Sequence, residues 1–306
     1  MVSRVALHSP PLQGASFNYS NRLQEIHTKL RGFEKRIGLP FSVDVSIVRS
    51  EEPPSTFPHR RIIQIPTWFL FKLEDIPHHF RISDSNDPRL DNPEFLNHFA
   101  FWMNERLKEQ GQAPLCHQTV NLNLRKFLRL LENPDLCEKA KEFSLGHELA
   151  HVLHAYKTEE QLDQKCETVF SMVGGYSIIC VSLLYLASGV NIIVIYGLVG
   201  GGVTLIIRGL VILVPFVIEE IQHCPVEDEK KADLDAAEML RTAEGGIYSF
   251  KMSLRTNIAL CRAFPSLRKN YDTLGNYLED KDHPPLSERV NYLTHWQAGR
   301  SRLRFR

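Results

Sequence analysis

EFSLGHELAHVLHAY, Glu142 to Tyr156, sets two histidines four residues apart, places a glutamate directly after the first, and surrounds them with apolar residues. On a helix, positions i and i+4 share one face, so His147 and His151 project side by side. Two imidazoles in that arrangement can grip one Zn²⁺, at about 2.0–2.1 Å per bond. Glu148 lies next to them, placed to take a proton from an attacking water and return it to a leaving amine. The small residues Gly146 and Ala150 allow a neighbouring segment to approach closely. A helix with two internally satisfied histidines would show the same local pattern, so the rest of the chain must decide.

A zinc grip of this kind needs a third protein ligand and an open position for water. The acidic stretch VEDEKKAD, Val226 to Asp233, offers candidates. Glu229 and Asp233 are four apart and stack on one helical face. Glu229 is placed to reach the metal, Asp233 to hold the far nitrogen of a histidine ligand, and Glu227 is the next candidate. The same residues would also suit a solvated helix start.

Upstream, helix signals span Ser20 to Pro40, with Ser20 or Asn21 as cap and Gly38 and Pro40 as stop. FSVDVSIV (Phe41 to Val48) alternates like a strand, Glu51 to His59 reads as a loop, and Arg61 to Phe71 reads as a second strand. Pro66 puts that strand at an edge or ends it early. Further helices are expected from Asn92 to Gly111, Leu122 to Glu132 and Pro134 to Tyr156, the last capped by Asn133. Downstream, helices are expected over His223 to Gly246, over Tyr248 to Phe264, and after Pro284 and Pro285.

Residues 170–218 carry a single charge, Arg208. Two helices of 18–20 residues rise about 27–30 Å each, the thickness of a hydrocarbon core. This reads as a two-helix transmembrane hairpin, with Arg208 at its cytoplasmic edge if the second span ends near Ile207, or at depth with a partner or a snorkelling path if that span runs on to Ile218. An even number of crossings returns both flanks to one compartment. Expected boundaries are a loose lead (1–18), the first part of the catalytic domain (19–169), the hairpin (170–218), the second part (219–299) and a basic tail (300–306). That tail, RSRLRFR, is either simply solvated or drawn to anionic lipid headgroups.

Lys+Arg and Asp+Glu both number 36, which points to no nucleic-acid partner. The six cysteines form no C-x-x-C pair and fit reduced thiols in a cytosolic setting. The N-terminal stretch MVSRVALHSPPLQG lacks an apolar run of signal-peptide length, so the polar parts are expected to stay unexported.

HELAH, the apolar hairpin, EKKAD, and then DHPPLSER together resemble the membrane zinc metallopeptidases that include HtpX, the CaaX prenyl endopeptidase and the mitochondrial Oma-type proteases. The order H-E-x-x-H, E-x-x-A-D, H-P-x-L-x-x-R is the one seen there. The resemblance implies an α+β, mostly helical, zincin-like domain of the gluzincin kind with a small sheet, interrupted by the hairpin. It implies one Zn²⁺ per chain held by His147, His151 and Glu229, with Glu148 as base and Asp233 behind a ligand. It further implies His283 near the reaction centre, stabilising an oxyanion, and Arg289 buttressing the site by pairing with an acid such as Asp233. The enzyme would be a multi-pass protein of the cell inner membrane facing the cytoplasm, cleaving membrane-associated proteins or peptides in quality control or processing. The family's upstream membrane segments have no counterpart in residues 1–111.

Two rivals stand beside that reading. One is an intramembrane protease, which Lys139, Lys141, Glu142 and Lys157 around the motif argue against at membrane depth. The other is a membrane-anchored scaffold with a relic metal site, for which an intact Glu148 would be superfluous.

Overall fold

Asn18 starts the first helix, α1 (Tyr19–Ile37), with its side chain accepting the Asn21 N–H at 2.9 Å. The cap thus falls ahead of the two residues the sequence suggested. Gly38 stops the helix at φ 70°, a left-handed turn that glycine adopts without a Cβ clash. Our computed structural model describes residues 17–48, 54–82, 84, 86–112, 122–186, 204 and 225–304.

The chain is mostly helical with one small sheet of three strands among the described residues. β1 (Asp44–Val48) runs parallel to β3 (Ile62–Pro66), pairing Asp44 with Ile62 and Val48 with Pro66. β2 (Ser55–Phe57) lies antiparallel on the other side of β3. β3 is therefore central rather than an edge, and Pro66 is tolerated because it is the last paired residue. The chain then turns into a short 3₁₀ helix, Thr67–Leu70, so of the two readings of Pro66 the early end of the strand is the one observed. β2 sits inside the expected loop, since three residues are too few to show a period.

Ile26, Leu30 and Phe33, spaced four and three apart on α1, enter one buried cluster with Ile63 and Ile65 of β3 and with Leu149. Full burial of a side chain such as Leu30 is worth about 1.5–3 kcal/mol. Aromatic rings fill the centre: Trp68 stacks on Phe127 at 5.2 Å, and Phe99 on Trp102 at 5.6 Å. Trp102 lies on α2 (Pro93–Glu109), which Asn92 caps through Glu94 N–H at 2.8 Å, and Phe127 lies on α3 (Leu122–Leu130).

α4 (Pro134–Leu186) carries the quoted motif and begins where expected, with Asn133 accepting the Leu136 N–H at 3.1 Å. It does not stop at Tyr156. The following residues, KTEEQLDQKCETVF, contain no glycine or proline, and good helix formers extend it. α5 (Pro225–Leu240) ends at Arg241, held at φ 59°. α6 (Glu244–Ala263) follows at once, and α7 (Leu286–Arg304) closes the described chain. Gly245 and Gly246, the last residues of the helix expected over His223 to Gly246, instead lie in the first turn of α6. A Cβ on Gly245 would lie 2.0 Å from the Lys139 carbonyl oxygen, and one on Gly246 would lie 2.6 Å from the Phe143 ring. These glycines are the contact surface where α6 meets α4.

The chain divides into two compact units, Met1–Leu153 with Val226–Arg306, and His154–Pro225. In the second unit the described residues are the end of α4, Thr204 and Pro225. Among the described residues no helix is long and apolar enough to cross a membrane, so the structure lends the hairpin no support. The expected turn and second arm, residues 187–203 and 205–218, lie outside the described residues, as do most of the lead and the last two residues of the basic tail. Arg300, the first residue of that tail, is engaged rather than merely solvated: its guanidinium pairs with Glu238 and sits 5.1 Å from the Trp296 ring.

Candidate metal centre

Gly146 places the motif helix against α5. A Cβ there would lie 3.4 Å from that of Ala236, so the two backbones run close. At this separation the polar face of α5 meets the histidine face of α4. Glu229 Oε1 lies 3.0 Å from His151 Nε2, and Glu229 Oε2 lies 3.2 Å from His147 Nε2. The two Nε2 atoms are 3.2 Å apart. One ligand atom from each of the three residues falls within 4.8 Å of the others, so His147, His151 and Glu229 form a group that can hold a metal ion. Glu227 is exposed and stands outside it.

The donor chemistry fits an ion. Glu229 Oε2 is buried and accepts no hydrogen bond. Among the described residues its charged or protonatable partners are nitrogens: His147 Nε2, Arg289 Nη2 at 3.6 Å and His283 Nε2 at 3.8 Å. Burial pushes the Glu229 carboxyl up, but the two histidines outweigh it and hold it far below the usual range. Burial would likewise lower His147, yet Asp233 and Glu229 carry it up to about 10. With only protein groups present, the site demands a positive charge between its donors. A divalent cation supplies that charge with both imidazoles neutral.

Behind His147, its Nδ1 lies 2.9 Å from Asp233 Oδ1, close enough for an ion pair although not aligned as a hydrogen bond. Asp233 is fully buried and accepts three hydrogen bonds from two other residues. Arg289 grips it with both arms, Nε to Oδ2 and Nη2 to Oδ1, each at 2.7 Å, and the Tyr292 hydroxyl donates to Oδ2. Burial raises the Asp233 carboxyl, but His147 and Arg289 outweigh it and keep it ionised. The guanidinium in turn lies 4.2 Å from the Phe250 ring.

Glu148 is buried and is not among the clustered ligand atoms, and its carboxyl makes no hydrogen bond to the described residues. Desolvation pushes its carboxyl above the ordinary range, which makes it a stronger base once ionised. His283 sits at the rim, about half exposed. Asp280 fixes it, accepting from the His283 backbone N–H at 3.1 Å and meeting Nδ1 at 3.0 Å, which leaves Nε2 turned toward Glu229.

All seven residues singled out from the sequence therefore lie in one compact unit. The sequence reading missed Tyr292, Phe250 and Asp280. Tyr292 follows Arg289 by three and shares its helix face, and Asp280 precedes His283 by three, so both carried a local signal. Phe250 carried none. No family model, curated protein or solved structure matches the chain.

Proposed function

We propose that the protein is a zinc-dependent endopeptidase anchored at a membrane, with its site on the cytoplasmic side. The observation that carries this is the convergence of His147, His151 and Glu229 within 4.8 Å, beside a desolvated carboxylate that is not itself a ligand. Two imidazoles and one carboxylate with an open side is the donor set of catalytic rather than structural zinc. When bound, zinc polarises the scissile carbonyl and makes water acidic enough to react near neutral pH. Glu148 takes the proton from the attacking water and later delivers it to the departing amine. His283, steadied by Asp280, presents Nε2–H to the carbonyl oxygen as charge develops there. Asp233, clamped by Arg289 and Tyr292, keeps the His147 ring in its orientation.

Purified protein should carry about one zinc per chain, and chelation should abolish hydrolysis of an unstructured peptide substrate. His151→Ala should lose the metal and the hydrolysis together. Full hydrolysis by metal-free protein would reject the proposal.

The membrane anchor rests on the near-absence of charge in residues 170–218. It would hold the site beside substrates confined to the bilayer and raise their local concentration. Replacing 170–218 with a soluble linker should spare cleavage of short peptides and slow that of membrane proteins. Equal cleavage of both would remove the anchoring role.

A further inference from the structure

Leu274, Tyr277 and Leu278 stand out of the surface at 56%, 41% and 58% exposure. A single exposed apolar side chain is ordinary. Three of the six large ones exposed among the described residues, however, fall within five positions of one loop, between the 3₁₀ helix Pro265–Asn270 and α7.

Hydrogen bonds hold that loop in shape. Asp272 Oδ1 accepts from the backbone N–H groups of Leu274 at 2.9 Å and Asn276 at 2.8 Å, and Oδ2 accepts from the Asn276 amide at 2.7 Å. The Leu278 N–H donates to the Asn270 carbonyl at 2.9 Å, next to the bridge between Tyr271 and Tyr277. Gly275, at φ 89°, presses on α6: a Cβ there would lie 2.6 Å from the Leu254 carbonyl oxygen, and its own carbonyl accepts from Asn257 at 2.8 Å. Buried Asn276 ties the loop to the first turn of α7, donating to Ser287 Oγ and accepting the Ser287 N–H, each at 2.9 Å. Asn276 thus turns inward and the leucines outward, the reverse of what burial favours.

The loop adjoins the metal group. Ser287 stands two residues before Arg289, which grips Asp233 behind His147. His283, with Nε2 3.8 Å from Glu229, follows Leu278 by five residues. Chain of that length spans at most about 18 Å, the reach of a short extended peptide. Between the two, Glu279, Asp280 and Asp282 are exposed with Lys281 as the one cation. Glu279 accepts from the Tyr277 hydroxyl and Asp280 holds His283, but both keep their charge. Such an edge repels anionic lipid headgroups and attracts a chain bearing lysine or arginine.

We propose that this loop is a docking ledge for extended peptides, with Leu274, Tyr277 and Leu278 receiving bulky apolar side chains and the acidic edge receiving neighbouring basic ones. The ledge rests on the peptidase reading and adds its substrate class: segments that combine large apolar with basic residues.

The test reads binding apart from hydrolysis. Full-length Glu148→Gln protein is titrated, by fluorescence anisotropy, with three labelled peptides. One has a phenylalanine–leucine–phenylalanine centre flanked by lysines, one has the same centre flanked by glutamates, and one has a serine–glycine–serine centre flanked by lysines. The first should bind about tenfold or more tighter than either of the others. Adding Leu274→Ser/Leu278→Ser should leave the melt unchanged, because both side chains are exposed and the loop is held by other groups, and should reduce binding of the first peptide to the level of the third. Equal binding of the three peptides overturns the proposal, as does a double leucine variant that binds the first peptide like its parent. Loss of flotation with phosphatidylglycerol vesicles, with peptide binding unchanged, would assign the leucines to a lipid surface and equally overturn it. The expected order of binding without hydrolysis of any of the three by the unaltered protein would remove the peptidase reading and leave the ledge as a peptide-binding site.

Discussion

Glu148→Gln is expected to reduce peptide hydrolysis by about 10²- to 10⁴-fold while leaving the zinc content unchanged, as read by steady-state assay and metal analysis on the same preparation. The two halves of this expectation come from different atoms. The metal-holding group is His147, His151 and Glu229, and no Glu148 oxygen belongs to it. The amide keeps the volume of the carboxyl, so packing around this buried position is retained. What disappears is the non-ligand carboxylate directly after the first histidine, a proton acceptor made more basic by its desolvation. A protein that merely displays a metal site would lose nothing. Unchanged hydrolysis with zinc retained would leave the scaffold reading standing and remove Glu148 as the base.

Asp233→Asn should be the most destabilising polar substitution in the site, at about 3–5 kcal/mol, seen as a lower urea midpoint with an unchanged m value. The carboxylate is fully buried and answers the Arg289 guanidinium with two 2.7 Å contacts. Neutralising it strands a buried cation, and the penalty is mainly that of the stranded charge rather than the worth of the pair. Adding Arg289→Met should therefore restore part of the loss, giving a double variant less destabilised than the two single effects combined. Strict additivity would show that the pair is not coupled. Tyr292→Phe removes one donor to the same carboxylate and should cost only about 1 kcal/mol. Asp233→Asn should also weaken metal affinity by about 10- to 100-fold in competition with a chelator, because the ring of His147 loses the group that orients it.

Much of the secondary structure was legible in local signals. Asn92, Asn133 and Gly38 cap where side-chain chemistry says they should, because a cap involves residues only two to five apart. Readings failed where a distant segment made the decision. Gly245 and Gly246 fall at the end of an expected helix until the Lys139 carbonyl and the Phe143 ring are set beside them. Ser55–Phe57 is too short to announce itself as a strand and exists because β3 offers it an edge. The apolar stretch after residue 170 reads as a hairpin from its lack of charge; its described residues are the extension of α4 to Leu186 and Thr204, and they leave that reading without support.

The spacing of His147 and His151 by itself determined that both imidazoles share a face, since helical geometry fixes neighbours four apart whatever surrounds them. It equally determined that Glu229 and Asp233 stack, and that Arg125 and Arg129 do. Only the tertiary structure decided that the α5 face turns toward α4, so that Glu229 rather than Glu227 meets the histidines and Asp233 disappears into the core with Arg289. It alone decided that two arginines of α3 are buried around one aspartate. Which face of a helix is covered depends on close packing between segments far apart in sequence, and no local period encodes that distance.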